Sequence, residues 1–201
     1  MPDNVETWQL IVGLVSGVGI AAATGFRVFL PLLAMALAAR FGGLQLSGGF
    51  EWVTSNGALI SLATATVLEI GAFYVPWIDN ALDHVAAPAS VLAGTLAVAS
   101  QAGTNEPWLN WVLGLVAGGG TAGVIQLGTM AIRGMSLVAT GGLANPIVAT
   151  VENTLAVVLS LLAILVPILA VLAIGVLAFL IVRKLRQRKQ AKQAQVMLAA
   201  A

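Results

Sequence analysis

Apolar residues in this chain come in long runs separated by short polar interruptions. The last run is the longest: residues 154–182 are twenty-nine positions without a charge, followed at once by Arg183-Lys184-Leu185-Arg186-Gln187-Arg188-Lys189. About 20 apolar residues cross a bilayer core. The segment therefore predicts a membrane-spanning helix, closed by a basic anchor of the kind retained on the cytoplasmic side. Five apolar stretches precede it. Residues 8–25 are just long enough to span. Residues 27–40 are bracketed by Arg27 and Arg40, contain Pro31 and are too short to cross straight, which predicts a half-helix, a re-entrant piece or a tilted span. Residues 57–78 form a full-length span interrupted by Glu69 and Pro76, residues 86–102 a short one rich in small side chains, and residues 108–132 a long one containing Gly118-Gly119-Gly120.

The stretches 42–56, 101–107 and 134–153 read as loops, the last carrying the helix-breaking pairs Gly141-Gly142 and Asn145-Pro146. Trp8, Trp52, Trp77, Trp108 and Trp111 stand at segment ends, where an aromatic belt places them. The expected fold is all-α: a polytopic transmembrane bundle of about six membrane segments. One or two of these need not cross fully, which leaves the side of the N-terminus open. Residues 1–182 form the single membrane domain and 183–201 a basic cytoplasmic tail.

Composition agrees. The chain is 59% hydrophobic and 8% charged, with a mean hydropathy of +0.99, against about 25% charged residues in soluble domains. The net charge of +1 hides an uneven layout: six of nine basic residues lie between positions 183 and 192, leaving Arg27, Arg40 and Arg133 upstream. Beside a spanning helix such a tail sets topology and meets anionic lipid headgroups rather than nucleic acid. The absence of cysteine excludes disulfides, thiolate catalysis and thiolate metal sites. The acidic N-terminus lacks the basic region of a signal peptide, so the first apolar segment is read as a retained helix.

Two stretches are alike. Gly13-Leu14-Val15-Ser16-Gly17-Val18-Gly19-Ile20-Ala21-Ala22 matches Gly114-Leu115-Val116-Ala117-Gly118-Gly119-Gly120-Thr121-Ala122-Gly123 at six of ten positions. Each is followed by an arginine, Arg27 or Arg133, and later by a glutamate, Glu69 or Glu152. Two related halves of inverted topology would produce this pattern; so would chance recurrence in small-residue membrane helices. The glycines themselves put small residues on one helix face, which lets backbones approach closely in lipid.

Few residues carry chemistry. Glu69 lies within an apolar span, where an ionisable group is costly and marks either an ion or proton site or a structural pair with an arginine such as Arg27. Arg27, beside a helix break, offers a planar fork of donors for an anion or headgroup; near a segment boundary the favoured reading is a snorkelling anchor. After Pro76, Asp79 and Asp83 share a helix face, with Asn80 and His84 as the neighbouring pair. They could hold a cation or relay a proton, or form a polar helix start at the membrane surface. One histidine and two aspartates make no recognisable metal motif. Asn145-Pro146 and Glu152-Asn153 form a matching polar cluster before the last helix. No catalytic set and no cofactor is implied by spacing.

The segments Gly25-Phe26-Arg27-Val28-Phe29-Leu30-Pro31-Leu32-Leu33, Ala65-Thr66-Val67-Leu68-Glu69-Ile70 and Val75-Pro76-Trp77-Ile78-Asp79-Asn80 resemble a bacterial membrane family catalogued as a domain of unknown function (number 4126). The resemblance resumes at Ala117-Gly118-Gly119-Gly120-Thr121-Ala122-Gly123 and at Thr140-Gly141-Gly142-Leu143-Ala144-Asn145-Pro146, covering roughly residues 10–180. Some members carry an acidic-basic pair just before the proline, where this chain has Phe73 and Tyr74. The resemblance implies a small multi-pass inner-membrane protein and points to Arg27, Glu69, Asp79 and Asn145-Pro146; it implies no activity. The leading expectation is a small transporter, channel or lipid-translocating protein that uses Glu69, with Arg27, Asp79, Asn80, Asp83, His84, Arg133, Asn145 and Glu152 along the pathway. Membrane lipids, a second copy of the chain and a small ion or lipid substrate are the expected partners. A scaffold that organises lipid or a partner complex is the alternative. An intramembrane lipid-modifying enzyme is the third reading, with Asp79, Asp83 and His84 as its candidates.

Overall fold

The computed structural model describes residues 3–166 and Arg183, with the side chains of residues 3–6, 76, 77, 79 and 80 excepted; the C-terminal half of the last apolar run and the tail beyond Arg183 lie outside the described residues. Among these residues there are only helices and their connections. Helix α1 is Asp3–Thr24, α2 Phe29–Phe41, α3 Asn56–Ala72 and α4 Pro76–Ala99. Helix α5 (Pro107–Leu113) runs through a π-helical stretch, Gly114–Gly119, into α6 (Gly120–Thr140), forming one rod of 34 residues. Helix α7 begins at Asn145 and is described to Val166.

Four of these elements are long and apolar enough to cross a membrane: α1, α4, the α5–α6 rod and α7. Helix α1 and the rod each run antiparallel to α4. Gly13 and Gly17 of α1 lie against Gln101 and Val98 at the far end of α4, and Gly114 and Gly118 of the rod lie against Thr95 and Gly94 of the same helix. A Cβ at Gly118 would collide with the Gly94 carbonyl, so only glycine permits this approach. The two similar stretches thus do the same job, each laying a glycine face on α4. Helices α2 and α3, of 13 and 17 residues, are shorter. At about 1.5 Å per residue they reach about 20 and 26 Å, and they pair as a hairpin beside the long helices. Residues 27–40 are therefore the short helix that their length predicts.

The ends of the elements correct the bounds expected for 57–78, 86–102 and 134–153. The apolar stretch 57–78 is not one span. Pro76 pushes Val75 into extended backbone (φ −101°, ψ 109°) and opens a new helix at its first position. Helix α3 consequently stops at Ala72 and α4 gains ten residues over the span read from 86–102. Residues 134–153 are mostly helical; the connection is only 141–144, where Gly141 and Gly142 take positive φ (64° and 86°) and end α6. Finally, the connection 42–55 folds back onto the bundle. It contains a 3₁₀ turn, Glu51–Thr54, and buries Ser47, Phe50 and Val53.

The tryptophans sort by end. Trp8, Trp52, Trp108 and Trp111 all lie at the end where α1 begins and α4 finishes, and all are exposed; the Trp77 side chain is outside the described residues.

Candidate functional site: a buried ion-pair network

Charged side chains collect at the opposite end of the bundle, below its rim. Asp83 is seven residues after the start of α4, Arg133 seven before the end of α6 and Glu152 seven after the start of α7. At about 1.5 Å per residue, all three stand about 10 Å along their helices from that rim. Arg27 joins them from the break between α1 and α2. Each is held away from solvent: Arg27 1%, Arg133 3%, Glu152 3% and Asp83 7% exposed. Arg27 is therefore not the snorkelling anchor that its place near a segment boundary suggests. Its neighbour Gly25 packs on Ile125 and Ala122, deep along the rod, so the break lies inside the bundle and the guanidinium cannot reach the rim.

Glu152 is the hub. Arg27 donates from Nη1 to Glu152 Oε2 at 2.9 Å. Arg133 donates to the same carboxylate from Nε (3.2 Å) and from Nη2, and from Nη1 to Asp83 Oδ1 (2.7 Å). Three further Arg27 N–H groups donate to the Asn153 side chain and to the Ala149 and Phe26 carbonyls. Both guanidinium carbons lie 4.1 Å from the centroid of the Phe73 ring, a cation–π contact that is stronger when desolvated. Glu152 and Asn153, read from sequence as a polar cluster preceding the last helix, sit inside α7, because α7 begins at Asn145.

Glu69 is 8% exposed and occupies the last turn of α3. Its carboxylate accepts from the backbone N–H groups of Val28 (2.7 Å) and Phe29 (3.0 Å) at the start of α2. These are orphan donors at the positive end of a helix, where a carboxylate is favoured. Among the described residues no ion pair joins Glu69 to an arginine, so the pairing of Glu69 with Arg27 weighed from sequence is replaced by this inter-helix cap.

Tyr74, 41% exposed, carries the network to the surface. Its hydroxyl lies 3.1 Å from Thr150 Oγ1 and accepts from Asn153 Nδ2 at 3.3 Å, while Asn153 Oδ1 accepts from Arg27. A continuous chain of polar contacts thus runs Tyr74–Asn153–Arg27–Glu152–Arg133–Asp83.

The sequence candidates divide. Arg27, Asp83, Arg133 and Glu152 meet, and Glu69 sits beside them across Val28. His84 is exposed while its neighbour Asp83 is buried. Asn145 is buried at the first residue of α7. The side chains of Asp79 and Asn80 lie outside the described residues. Phe73, Tyr74 and Asn153 are the members that charge-based reading passed over. Their only signal is position: two aromatics abut the Pro76 break and an amide follows Glu152.

Four long apolar helices, a short hairpin and ionisable groups buried between them define an integral membrane protein. The chain belongs to the family described as a domain of unknown function (DUF4126), which matches residues 14–187. No curated protein and no solved structure matches it.

Proposed function

We propose that this protein is a small membrane transporter, channel or lipid translocator whose coupling element is the buried network, with Glu69 as the group that loads and releases an ion or proton. One observation carries the reading. Three buried carboxylates, Glu69, Asp83 and Glu152, face two buried guanidiniums, Arg27 and Arg133. The set has one formal negative charge in excess, and Glu69 is the carboxylate to which no arginine donates a hydrogen bond among the described residues. Ionisable groups at such depth are costly and usually mark a substrate or ion path. A proton or small cation at Glu69 would neutralise the excess.

The proposed setting is the inner (cytoplasmic) membrane, with the C-terminus in the cytoplasm. Helix α7 starts at the network end and runs toward the tryptophan-rich end. Combined with the basic run after residue 182, this supports a topology with the tryptophan-rich end and the N-terminus on the cytoplasmic side. A bundle this small has little room for a private path, so a homo-oligomer is the proposed assembly.

The test is flux through proteoliposomes over a panel of protons, monovalent ions and fluorescent lipids, with Glu69→Gln as the paired control. Flux that the substitution abolishes is the expected result. Silence across the panel from folded protein would overturn the reading. It would favour the second one, a component that organises lipid or partners, for which the close glycine packing and mutually satisfied ion pairs speak.

A further inference from the structure

The α2–α3 hairpin is clipped to itself at both ends. At its root Glu69 caps α2; at its tip Arg40 Nη1 donates to the Thr54 carbonyl (3.1 Å) and to Asn56 Oδ1 (2.6 Å). Its grip on the four long helices is of another kind. Helix α3 buries only Thr66 and Glu69 among the described residues, with Leu59 and Leu62 half-buried on the core, and α2 lays Leu32, Met35 and Ala36 into it. Lipid tails are as apolar as those side chains, so no hydrophobic force adds to their van der Waals packing, and the polar contacts at the two ends set where the hairpin is held more and less firmly. At the root these are many, and they are covalently reinforced by residues 25–28 and 73–75: Arg27 to Glu152, Asn153 and Ala149, and Tyr74 to Thr150 and Asn153. Toward the tip they are fewer, beginning with two weak donations from Ser100 and Gln101 to the sulfur of Met35 in α2. Ser47 N–H donates to the Ser100 carbonyl (2.6 Å), Gly103 N–H donates to Ser47 Oγ (2.8 Å), and the Phe50 ring lies 5.4 Å from that of Trp111.

We propose that the hairpin is a gate that swings about its root at the ion-pair network and opens the bundle at its tip, where Ser47 is the latch onto the end of α4. The surface it would uncover mixes small apolar residues at the end of α4, Ala97, Val98 and Ala99, with buried polar groups. Beneath the tip, Ser100 Oγ and Gln101 Nε2 both donate to the Met35 sulfur, and Gln101 Nε2 also donates to the Ala97 carbonyl (3.0 Å). Gln101 is 4% exposed, and with its amide nitrogen so committed, its Oε1 has no protein donor among the described residues. A buried acceptor left without a partner is unfavourable, and opening the tip relieves it by admitting water. The inference rests on the transport reading for its purpose, and on the latch contacts for its mechanics.

The test measures movement, not flux. The chain has no cysteine, so spin labels go only where cysteines are introduced. One pair, Gln45→Cys with Asn105→Cys, reports the tip; another, Gly71→Cys with Val151→Cys, reports the root; all four positions are exposed. Pulsed electron resonance in liposomes is expected to give two tip distances and one root distance. Ser47→Ala should raise the ratio of long to short tip distances about fivefold, the scale of one lost buried hydrogen bond, and Phe50→Ala should act in the same direction. A single tip distance that neither substitution alters would overturn the gate, as would equal movement at the root. An opening tip without flux sinks the transport reading and leaves the gate; flux with a fixed tip does the reverse.

Discussion

Truncating Glu152 strands two guanidiniums at once. Its carboxylate serves Arg27 and Arg133 together, and both arginines are too deep to find water. Breaking a buried pair by removing one partner costs about 3–5 kcal/mol, and here one side chain terminates two pairs. Glu69 stands differently, since its partners are two backbone N–H groups, one of which an amide oxygen can still accept from. Glu69→Gln should lose about 1–3 kcal/mol, and Glu152→Ala at least 3–5 kcal/mol, in denaturant unfolding in detergent micelles. Equal losses would mean that Glu152 is not the hub. All five charged members were visible in the sequence because charge is scarce upstream of the tail. Their pairing was not, since Arg27 and Glu152 lie 125 positions apart and no local spacing relates them. Phe73 was hidden for another reason: an aromatic among apolar residues gives no sign that two cations will settle on its ring.

Glycine decides how the elements approach. Gly118 and Gly120 are near neighbours in the rod, yet a Cβ at Gly118 meets the Gly94 carbonyl while one at Gly120 meets nothing within 4 Å. Gly118→Ala must therefore push α6 from α4 and lower the unfolding temperature. Gly120→Ala should be neutral or raise it slightly, because alanine favours a helix over glycine by about 1 kcal/mol. Thermal unfolding of the two variants side by side checks this, and a larger loss at Gly120 would refute the packing argument. The stripe was legible as glycine spacing; which glycines touch was not, because the π-helical stretch at Gly114–Gly119 shifts the face by a fraction of a turn. Helix existence was legible throughout from apolar run length. The boundaries failed where a run was continuous in composition but broken in backbone, at Pro76, and where polar residues continued a helix, over 134–140 and 145–153. In both places hydropathy reported the solvent around the chain rather than its dihedrals.

Taken whole, the molecule has two unlike ends, and the difference bears on orientation. One end gathers four exposed tryptophans and the hairpin tip; the other holds the ion-pair network and the glycine turn at 141–144. The proposed topology puts the first in the cytoplasm, on the direction of α7 and the basic residues that follow it. Leu143, 84% exposed, marks the network end, and Asn105, also exposed, marks the other. In the cysteine-free chain, Leu143→Cys should react with a membrane-impermeant maleimide added to intact cells or right-side-out vesicles. Asn105→Cys should react only after permeabilisation. The opposite pattern would place the network on the cytoplasmic side and reverse the direction proposed for an ion reaching Glu69. Labelling of both positions from outside would mean that the four long helices do not cross as an antiparallel set, and the transport reading would lose its barrier.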